Sequence, residues 1–376
     1  MKKNRTTLLV VLWLTLVTVV AGCGLNITDA NGEQRRNGTV SRIRDMTERR
    51  AAHTATLLPD GRVLIAGGFT GGNTFTSAEL FDPAAEVFKA AGNMSVARAG
   101  HTATLLSNGK VLIAGGYNGN YLASAELYDP ATNRFTPAGA MSAARSGHMA
   151  TLLQNGKVLL AGGVGVGWTF LASAEVYDPA TNTFTPTSDM LAARESHTAT
   201  LLPNGNVLIA GGHRGRRPSI TIYSSAEIYD PQSGRFTAAG DMTVIRHKHE
   251  AVLLADGRVL ILGGSDQRDG NGAYTSAEIY DPARKTFTAT GNMNSPRYKL
   301  QGTAVLLSDG RVLVAGGANR AEVFDPSRNT FANAAGDFET LRLFATATRL
   351  GNGKVLILGG YHESSAATSN AWLYRA

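Results

Sequence analysis

Five histidines recur at one position of a repeated sequence and are the first residues whose spacing could support chemistry. Imidazole is a common metal ligand and titrates near neutral pH. Imidazoles spread over several repeats would ring too wide a space for one tetrahedral ion, because zinc–nitrogen bonds measure about 2.0–2.1 Å. We therefore predict no metal or cofactor and expect the histidines to hydrogen-bond backbone between repeats: His53, His101, His148, His197 and His249.

Other chemical motifs are weak. Asp266, Asp269 and Asn271 lie together in one loop, but their spacing lacks the downstream Glu of a calcium-binding EF-hand loop. Gly-x-Ser-x-Gly, His-Glu-x-x-His and phosphate-binding loops do not occur in the sequence. No catalytic residue is therefore assigned.

The histidines belong to a unit that recurs seven times. Gly-Gly doublets begin at positions 67, 115, 162, 211, 263, 316 and 359, so the spacing runs from 43 to 53 residues. Each unit contains an apolar segment, an Asn-Gly or Asp-Gly pair, a second apolar segment that ends at the doublet, and then Ala-Glu-x-Tyr/Phe-Asp-Pro or a variant of it. Asn-Gly and Asp-Gly between apolar runs predict tight hairpins, because a type I′ turn needs positive φ at both central residues. The pattern predicts four antiparallel strands per unit.

Seven such units predict an all-β, seven-bladed β-propeller of four-stranded antiparallel blades. The seventh unit has no fourth strand, whereas residues 39–46 precede the first unit and have no repeat of their own. We expect this N-terminal strand to complete the last blade and close the ring. The predicted organisation is a signal peptide at 1–22, a polar tether at 23–38 and the propeller at 39–376.

Charged residues that recur in nearly every unit are interpreted as structural. Both faces of a blade pack against neighbouring blades, so these charges would be costly unless they were paired and hydrogen-bonded. We expect them to tie the blades together: Arg50, Arg98, Arg145, Arg194, Arg246, Arg297 and Arg342, with Glu79, Glu126, Glu175, Glu227, Glu278 and Glu322.

The N-terminus predicts export. A basic start precedes an apolar stretch at 8–20, which is short for a membrane-spanning helix of about 20 residues. Val20-Ala21-Gly22-Cys23 resembles the lipobox of bacterial lipoproteins, in which the cysteine carries the lipid; the alternative is an ordinary signal peptide with an incidental cysteine. We expect a membrane-anchored lipoprotein, with the outer membrane or cell surface favoured because Gly24 rather than Asp follows. Cys23 is the only cysteine, which excludes intramolecular disulfides.

The charge balance does not indicate a nucleic-acid partner. The formal net charge is +7, and without Lys2, Lys3 and Arg5 the chain has 33 basic and 29 acidic residues. This excess is small and evenly spread, and no nucleic-acid-binding motif accompanies it.

Candidate binding residues lie in variable loops. The loops after the doublets and those between blades emerge on one face, and blade 6 has almost no loop (318–320), which predicts a notch there. Binding residues usually occupy variable loops on a rigid scaffold, and aromatic and arginine side chains are favoured contacts; the alternative is a merely solvated loop. The candidates are Phe69, Tyr117, Tyr121, Trp168, Arg214, Arg216, Arg217, Tyr223, Arg268, Tyr274 and Tyr361.

Residues 39–376 resemble the kelch family. The resemblance rests on the Gly-Gly doublets, the arginine that opens each unit and the Tyr-Asp-Pro followed by an aromatic residue, which is Phe here where many kelch repeats have Trp. The family includes galactose oxidase, a copper enzyme whose cofactor depends on a tyrosine cross-linked to a cysteine. Cys23 lies at the lipobox, so that chemistry is not expected.

Two functions fit these features. The favoured one is an envelope-anchored scaffold that binds a protein or a glycan through the variable loop face. The alternative is a carbohydrate-active enzyme that resembles a sugar mutarotase or epimerase and uses the channel mouth, so enzyme activity is left open. A polar pocket with perturbed titratable groups would favour the enzyme. The sequence does not identify the ligand, and we expect a monomer because a closed ring leaves no obligatory edge.

Overall fold

The computed structural model describes residues 37–362 and 366–376, which form seven antiparallel four-stranded sheets. The predicted signal peptide and Cys23 lie outside the described residues. Within the described part of the chain, no helix is long and apolar enough to cross a bilayer.

The strands follow the predicted repeat, with the first strand of each blade innermost. Strand β1 is Thr39–Arg42. Blade 1 comprises β2 (Thr54–Leu57), β3 (Val63–Ala66), β6 (Ala78–Asp82) and β7 (Val87–Ala90), with a loop hairpin of β4 (Phe69–Thr70) and β5 (Asn73–Thr74) between β3 and β6. Blade 2 comprises β8 (Thr102–Leu105), β9 (Val111–Ala114), β10 (Ala125–Asp129) and β11 (Arg134–Pro137). Blade 3 comprises β12 (Met149–Leu152), β13 (Val158–Ala161), β14 (Ala174–Asp178) and β15 (Thr183–Pro186).

The remaining blades repeat this order. Blade 4 comprises β16 (Thr198–Leu201), β17 (Val207–Ala210), β20 (Ser225–Asp230) and β21 (Arg235–Asp241), with a loop hairpin of β18 (His213–Arg214) and β19 (Thr221–Ile222) between β17 and β20. Blade 5 comprises β22 (Glu250–Leu253), β23 (Val259–Leu262), β24 (Ala277–Asp281) and β25 (Thr286–Ala289), and blade 6 comprises β26 (Ala304–Leu306), β27 (Val312–Val314), β28 (Glu322–Asp325) and β29 (Thr330–Asn333). Blade 7 comprises β30 (Thr346–Arg349), β31 (Val355–Leu358) and β32 (Ala371–Arg375). The short 3-10 helices Val166–Trp168 and Asp269–Gly272 lie in loops of blades 3 and 5.

The ring is closed by the N-terminal strand, as predicted. Strand β1 pairs antiparallel with β32 and becomes the outermost strand of blade 7. The strand ends at Arg42 rather than Met46, although the backbone N–H groups of Ile43 and Met46 still donate to Ala371 and Ser369. The innermost strands contact one another in sequence, and β2 contacts β30, so no blade is left at an open end.

The core lies between the blades. In blade 1, Val63 and Ile65 pack against blade 7, whereas Leu64 and Ala66 pack against blade 2. Because successive side chains of a strand point to opposite faces, a strand buried on both sides must be apolar at every position. This explains the repeated Val-Leu-Ile-Ala segment.

The Gly-Gly doublet is required where neighbouring blades approach most closely. In blade 1, Gly67 and Gly68 have φ values of 62° and 93°. A Cβ on Gly67 would lie 2.5 Å from the carbonyl oxygen of Arg98, and one on Gly68 would lie 2.8 Å from that of Ala51. A side chain at either position would therefore meet backbone that cannot move aside.

The repeated arginines join blades through their main chain and side chain together. The carbonyl oxygen of Arg98 accepts from Gly68 of blade 1 at 2.9 Å. Its guanidinium group donates to the carbonyl oxygen of Gly115 at 2.8 Å and to Glu126 at 3.0 Å, both in blade 2. The arginine is fully buried, so these bonds replace the water that its charge would otherwise require.

Six of the seven arginines form such ion pairs, at 2.6–3.1 Å. The exception is Arg342 of blade 7, where Trp372 occupies the place of the glutamate. The Arg342 guanidinium lies 4.8 Å from the centre of the Trp372 ring and donates to the carbonyl oxygen of Phe338 at 2.9 Å. A cation–π contact thus takes the place of the ion pair in the blade that the N-terminal strand completes.

We predict that Arg194→Ala lowers the free energy of unfolding by about 3–5 kcal/mol, because it leaves the Glu227 carboxylate buried without its cation. Urea denaturation would measure the loss. The control is Arg284→Ala, which removes an arginine whose side chain is 79% exposed and should leave the transition nearly unchanged. Equal effects of the two substitutions would contradict this account of the arginines.

Candidate functional site

The channel mouth on the variable face is framed by a ring of backbone hydrogen bonds, here called the collar. The collar consists of the second residue after each repeated arginine, and all seven members have φ between 49° and 62°. Six of its inter-blade N–H to carbonyl bonds are formed, at 2.9–3.2 Å. The members are Ala52, Gly100, Gly147, Ser196, Lys248, Lys299 and Phe344.

One side of the mouth carries small uncharged residues, and the other carries polar and charged residues. The first and second residues after the arginine are Ala, Gly or Ser in blades 1 to 3. In blades 4 to 6 they are Glu195-Ser196, His247-Lys248 and Tyr298-Lys299. Polar and charged groups therefore gather on the half of the mouth formed by blades 4, 5 and 6.

A carboxyl group and two imidazoles form a chain at this mouth. Glu195 Oε2 lies 3.8 Å from His213 Nε2, and His213 Nδ1 lies 3.1 Å from His247 Nδ1. His247 Nε2 lies 3.3 Å from the carbonyl oxygen of Asp266. Burial raises the pKa of Glu195 to about 7, against the opposing charges of Lys248 and Arg216.

The hydrogen-bond partners determine where the protons of this chain reside. Burial lowers the pKa of His213 to about 4 and that of His247 to about 3, so both rings are neutral near pH 7. His247 must carry its proton on Nε2, because the Asp266 carbonyl can only accept. His213 Nδ1–H then donates to His247 Nδ1, which leaves the Nε2 lone pair of His213 facing Glu195. A protonated Glu195 is the complementary partner for that lone pair.

Two lysines stand next to each other on the collar. The backbone N–H of Lys299 donates to the carbonyl oxygen of Lys248 at 2.9 Å. Lys248 forms an ion pair with Asp269, and burial lowers its pKa, with the charge of Lys299 acting in the same direction. This side of the mouth is therefore positively charged.

Lys299 occupies an aromatic cage. Its Nζ lies 5.3–5.4 Å from the ring centres of Tyr298, Phe344 and Tyr361 and donates to the Tyr361 hydroxyl at 2.8 Å. Phe69 of blade 1 lies 6.3 Å from Tyr361 between ring centres. Two predicted candidates, Phe69 and Tyr361, are thus part of the wall around Lys299.

A second cluster, the aromatic rim, lies on the loops of blades 2 to 4. Tyr121 lies 5.1 Å from Tyr117 and 5.8 Å from Trp168 between ring centres. The guanidinium of Arg216 stacks on Trp168. Trp168 is 49% exposed and Tyr117 is 39% exposed, and Tyr121 is close enough to Glu195 for that charge to raise its pKa, although burial is the larger cause. Four predicted binding residues are therefore brought together beside the mouth.

The other predicted binding residues are arranged differently. The guanidinium groups of the buried Arg194 and Arg246 lie over the rings of Tyr223 and Tyr274, at 4.9 and 5.6 Å from the ring centres. These two tyrosines therefore pack against buried arginines and do not form an open surface. Three loop arginines are exposed: Arg217 pairs with Asp269 at 3.4 Å, Arg268 pairs with Asp266 at 2.6 Å, and Arg214 lies on the blade 4 hairpin.

Four of the five repeated histidines bond side chains and not the backbone expected for them. His53, His101, His148 and His249 each place Nε2 3.0–3.2 Å from a threonine hydroxyl on the innermost strand of the preceding blade. His197 has no hydrogen-bond partner on either ring nitrogen, because Met149 occupies the place of that threonine. Four of the histidines therefore link neighbouring blades, whereas His197 forms no such link.

Sequence reasoning missed Glu195, His247, Lys248 and Lys299. The available signal was the variation at the two positions after an arginine that is otherwise repeated. These positions belong to short inter-blade loops, whereas the predicted binding residues all lie in the loops after the doublets. Asp269 was considered only as a possible calcium ligand, and His213 was not among the candidates.

The described residues do not favour metal chemistry. Within residues 37–362 and 366–376, no three His, Cys, Asp or Glu side chains are grouped to hold a metal ion. Asp266 and Asp269, weighed above as calcium ligands, are engaged by Arg268 and Lys248 instead.

Comparison with known proteins agrees with the repeat geometry. The Kelch motif matches residues 98–142, 145–191 and 196–243, which span blades 2 to 4. The chain therefore contains three Kelch motifs within a seven-bladed β-propeller. No significant match was found among curated proteins.

A solved structure with a similar fold is a fungal alcohol oxidase of the AA5 family in complex with copper. It is 18% identical to this chain, with a TM-score of 0.72 over 90% of this chain and 76% of the oxidase chain. At this identity the likeness concerns the fold alone.

We predict that Met149→Thr raises the free energy of unfolding by about 1 kcal/mol, because the new hydroxyl would give the buried His197 a hydrogen-bond partner. Chemical denaturation would measure the gain. The matched control is Thr102→Met, which removes the partner of His148 and should lower stability by a similar amount. If neither substitution changes stability, the inter-blade histidine bonds contribute nothing.

Proposed function

We propose that this kelch propeller is a binding scaffold of the cell envelope that recognises a protein or a glycan through its variable face. The aromatic rim of Tyr117, Tyr121, Trp168 and Arg216 is the contact surface. The observation that carries the proposal is that these side chains, drawn from three blades and exposed except for the half-buried Tyr121, cluster on a rigid scaffold.

The rim has the composition of a recognition surface. Val166 is also exposed beside Trp168, so an apolar patch continues around the tryptophan. Tryptophan, tyrosine and arginine dominate binding energy in interfaces because they offer large contact areas with a polar edge. Stacking on an aromatic ring would suit a sugar as well as a protein side chain, so both ligand classes belong to the proposal.

The scaffold is proposed to be anchored through a lipid on Cys23. Support comes from the apolar stretch at 8–20 and the Val20-Ala21-Gly22-Cys23 sequence that ends it. A lipid anchor at this position would leave the propeller on a polar tether. Several acyl chains together provide stable attachment, whereas one chain gives only marginal binding.

An enzymatic role at the channel mouth is the second candidate. It is favoured by the buried chain of Glu195, His213 and His247, because perturbed titratable groups cluster at functional sites. Turnover of a sugar by the purified protein would support this role over a purely binding one.

We predict that Trp168→Ala weakens binding to the scaffold's ligand by about tenfold or more, because it removes the central anchor of the rim. Glycan arrays and pull-downs from envelope fractions with the protein lacking residues 1–23 would supply the ligand, and titration calorimetry would measure its affinity. Ile245→Ala is the control, since Ile245 is an exposed apolar residue that is not part of the rim. A ligand that binds both variants equally would refute the rim as the contact surface.

We predict that Cys23→Ser moves the protein from the membrane fraction to the soluble fraction of the exported pool, because serine cannot accept the thioether-linked lipid. Fractionation and metabolic labelling with a fatty acid would show the change. Persistent membrane association with unchanged labelling would rule out Cys23 as the anchor.

A further inference from the structure

The charge of Lys299 at the channel mouth is not paired with any carboxylate of the described residues. Among the described residues, Lys299 has no Asp or Glu within ion-pair distance; its Nζ is held by the Tyr361 hydroxyl and three aromatic rings. A cage of this kind fixes a lysine in place while it leaves the charge unneutralised. The lysine is half-buried, so a bound anion would be drawn to it more strongly than to a lysine in open water.

The neighbouring lysine adds to the positive charge. Lys248 is adjacent to Lys299 on the collar, and Asp269 forms ion pairs with Lys248 and Arg217 but not with Lys299. Arg216 adds a further positive charge near Glu195, as its lowering effect on the pKa of Glu195 indicates. The mouth therefore offers more positive than negative charge to a ligand.

The mouth is shallow. The side chain of Gln301 in blade 6 reaches across the inside of the ring and donates to the carbonyl oxygen of His197 in blade 4, at 3.1 Å. His197 directly follows the collar residue Ser196, so this bridge lies just below the collar. A ligand at the mouth would rest on the bridge and not pass through the channel, which favours a small molecule.

Glu195 is the group that can respond to such a ligand. Its side chain is 24% exposed, and it faces His213 from β18, Lys248 from blade 5, Arg216 from the blade 4 loop and Tyr121 from the blade 2 loop. When protonated, it can donate a hydrogen bond to a carboxylate. When ionised, it would repel the carboxylate and compete with it for Lys248.

We propose that the channel mouth is a binding site for a small carboxylate, held by Lys299 and Lys248 and by the protonated carboxyl group of Glu195. The ligand's carboxylate supplies the missing negative charge. This site is separate from the aromatic rim, and the inference does not rest on the rim's ligand.

The pH dependence follows from the charges. Glu195 has a pKa of about 7, so it is largely protonated below that pH and ionised above it. A bound carboxylate favours the protonated form, since a nearby like charge disfavours ionisation of Glu195. By linkage, the affinity falls as the pH rises through about 7, and binding above that pH takes up a proton.

The probe for the test is D-glucuronate, with D-glucose as its neutral counterpart. Titration calorimetry of the protein lacking residues 1–23 would be run about one unit below and one unit above the Glu195 pKa of about 7. We expect glucuronate to bind and glucose not to bind at millimolar concentrations. Affinity for glucuronate should drop by about tenfold or more at the higher pH.

Three variants separate the contributions. Lys299→Met keeps the length of the side chain in the cage and should weaken glucuronate binding by about tenfold or more. Glu195→Gln should retain binding and lose its pH dependence, because the amide does not titrate. Lys157→Met is the control, since Lys157 lies on the opposite face in an exposed pair with Asp178, and it should bind like the wild type.

The proposal is overturned by any of three results: glucuronate binds no better than glucose, Lys299→Met binds glucuronate normally, or Glu195→Gln keeps the pH dependence. Thermal unfolding of each variant would show that the propeller is intact. Should Lys299→Met fail to fold, the pH profiles of the wild type and Glu195→Gln decide the question alone.

Discussion

The structure depends on the ring being closed. Each blade is apolar on both faces and can bury those faces only against its two neighbours. An open row of blades would expose one face at each end, together with an unpaired strand edge. Strand β1, from the start of the described chain, removes that edge by pairing with β32 from its end. Cooperative stability is therefore tied to two segments more than 300 residues apart in the chain.

In a closed ring, a charge between two blades is removed from water and must therefore be paired or hydrogen-bonded. The repeated arginines meet this requirement. Each guanidinium is buried, and the arginine carbonyl accepts a hydrogen bond from the preceding blade. In six of the seven arginines, the backbone and glutamate partners of the guanidinium belong to the following blade. The same unit forms six times with a glutamate and once with Trp372. A residue that serves every blade equally is occupied by the scaffold, and the functional surface must be sought among residues that differ from blade to blade.

The predictable parts of the fold and the site are those that follow from the repeat or from residue type and loop position. The fold, the closure by the N-terminal segment and the face that carries the variable loops follow from the repeat. Tyr117, Tyr121, Trp168 and Arg216 were identified from residue type and loop position, and they do cluster. Tyr223 and Tyr274 have the same residue types in equivalent loops, yet they stack on buried arginines. Whether a loop tyrosine faces solvent or an arginine depends on contacts made across the blade, which spacing alone does not reveal.

The sequence by itself determined the number of blades, their strand order and the residues that seal them, because those features are local and repeat with a fixed period. Only the tertiary structure decided that Glu195, His213, His247, Lys248 and Lys299 share one mouth. Four of these residues come from short inter-blade loops and His213 comes from the loop hairpin of blade 4, and they meet because the ring brings each loop to a common axis. The shifted pKa values of Glu195, His213, His247 and Lys248 also arise there, since burial among neighbouring blades removes the water that would stabilise their charges.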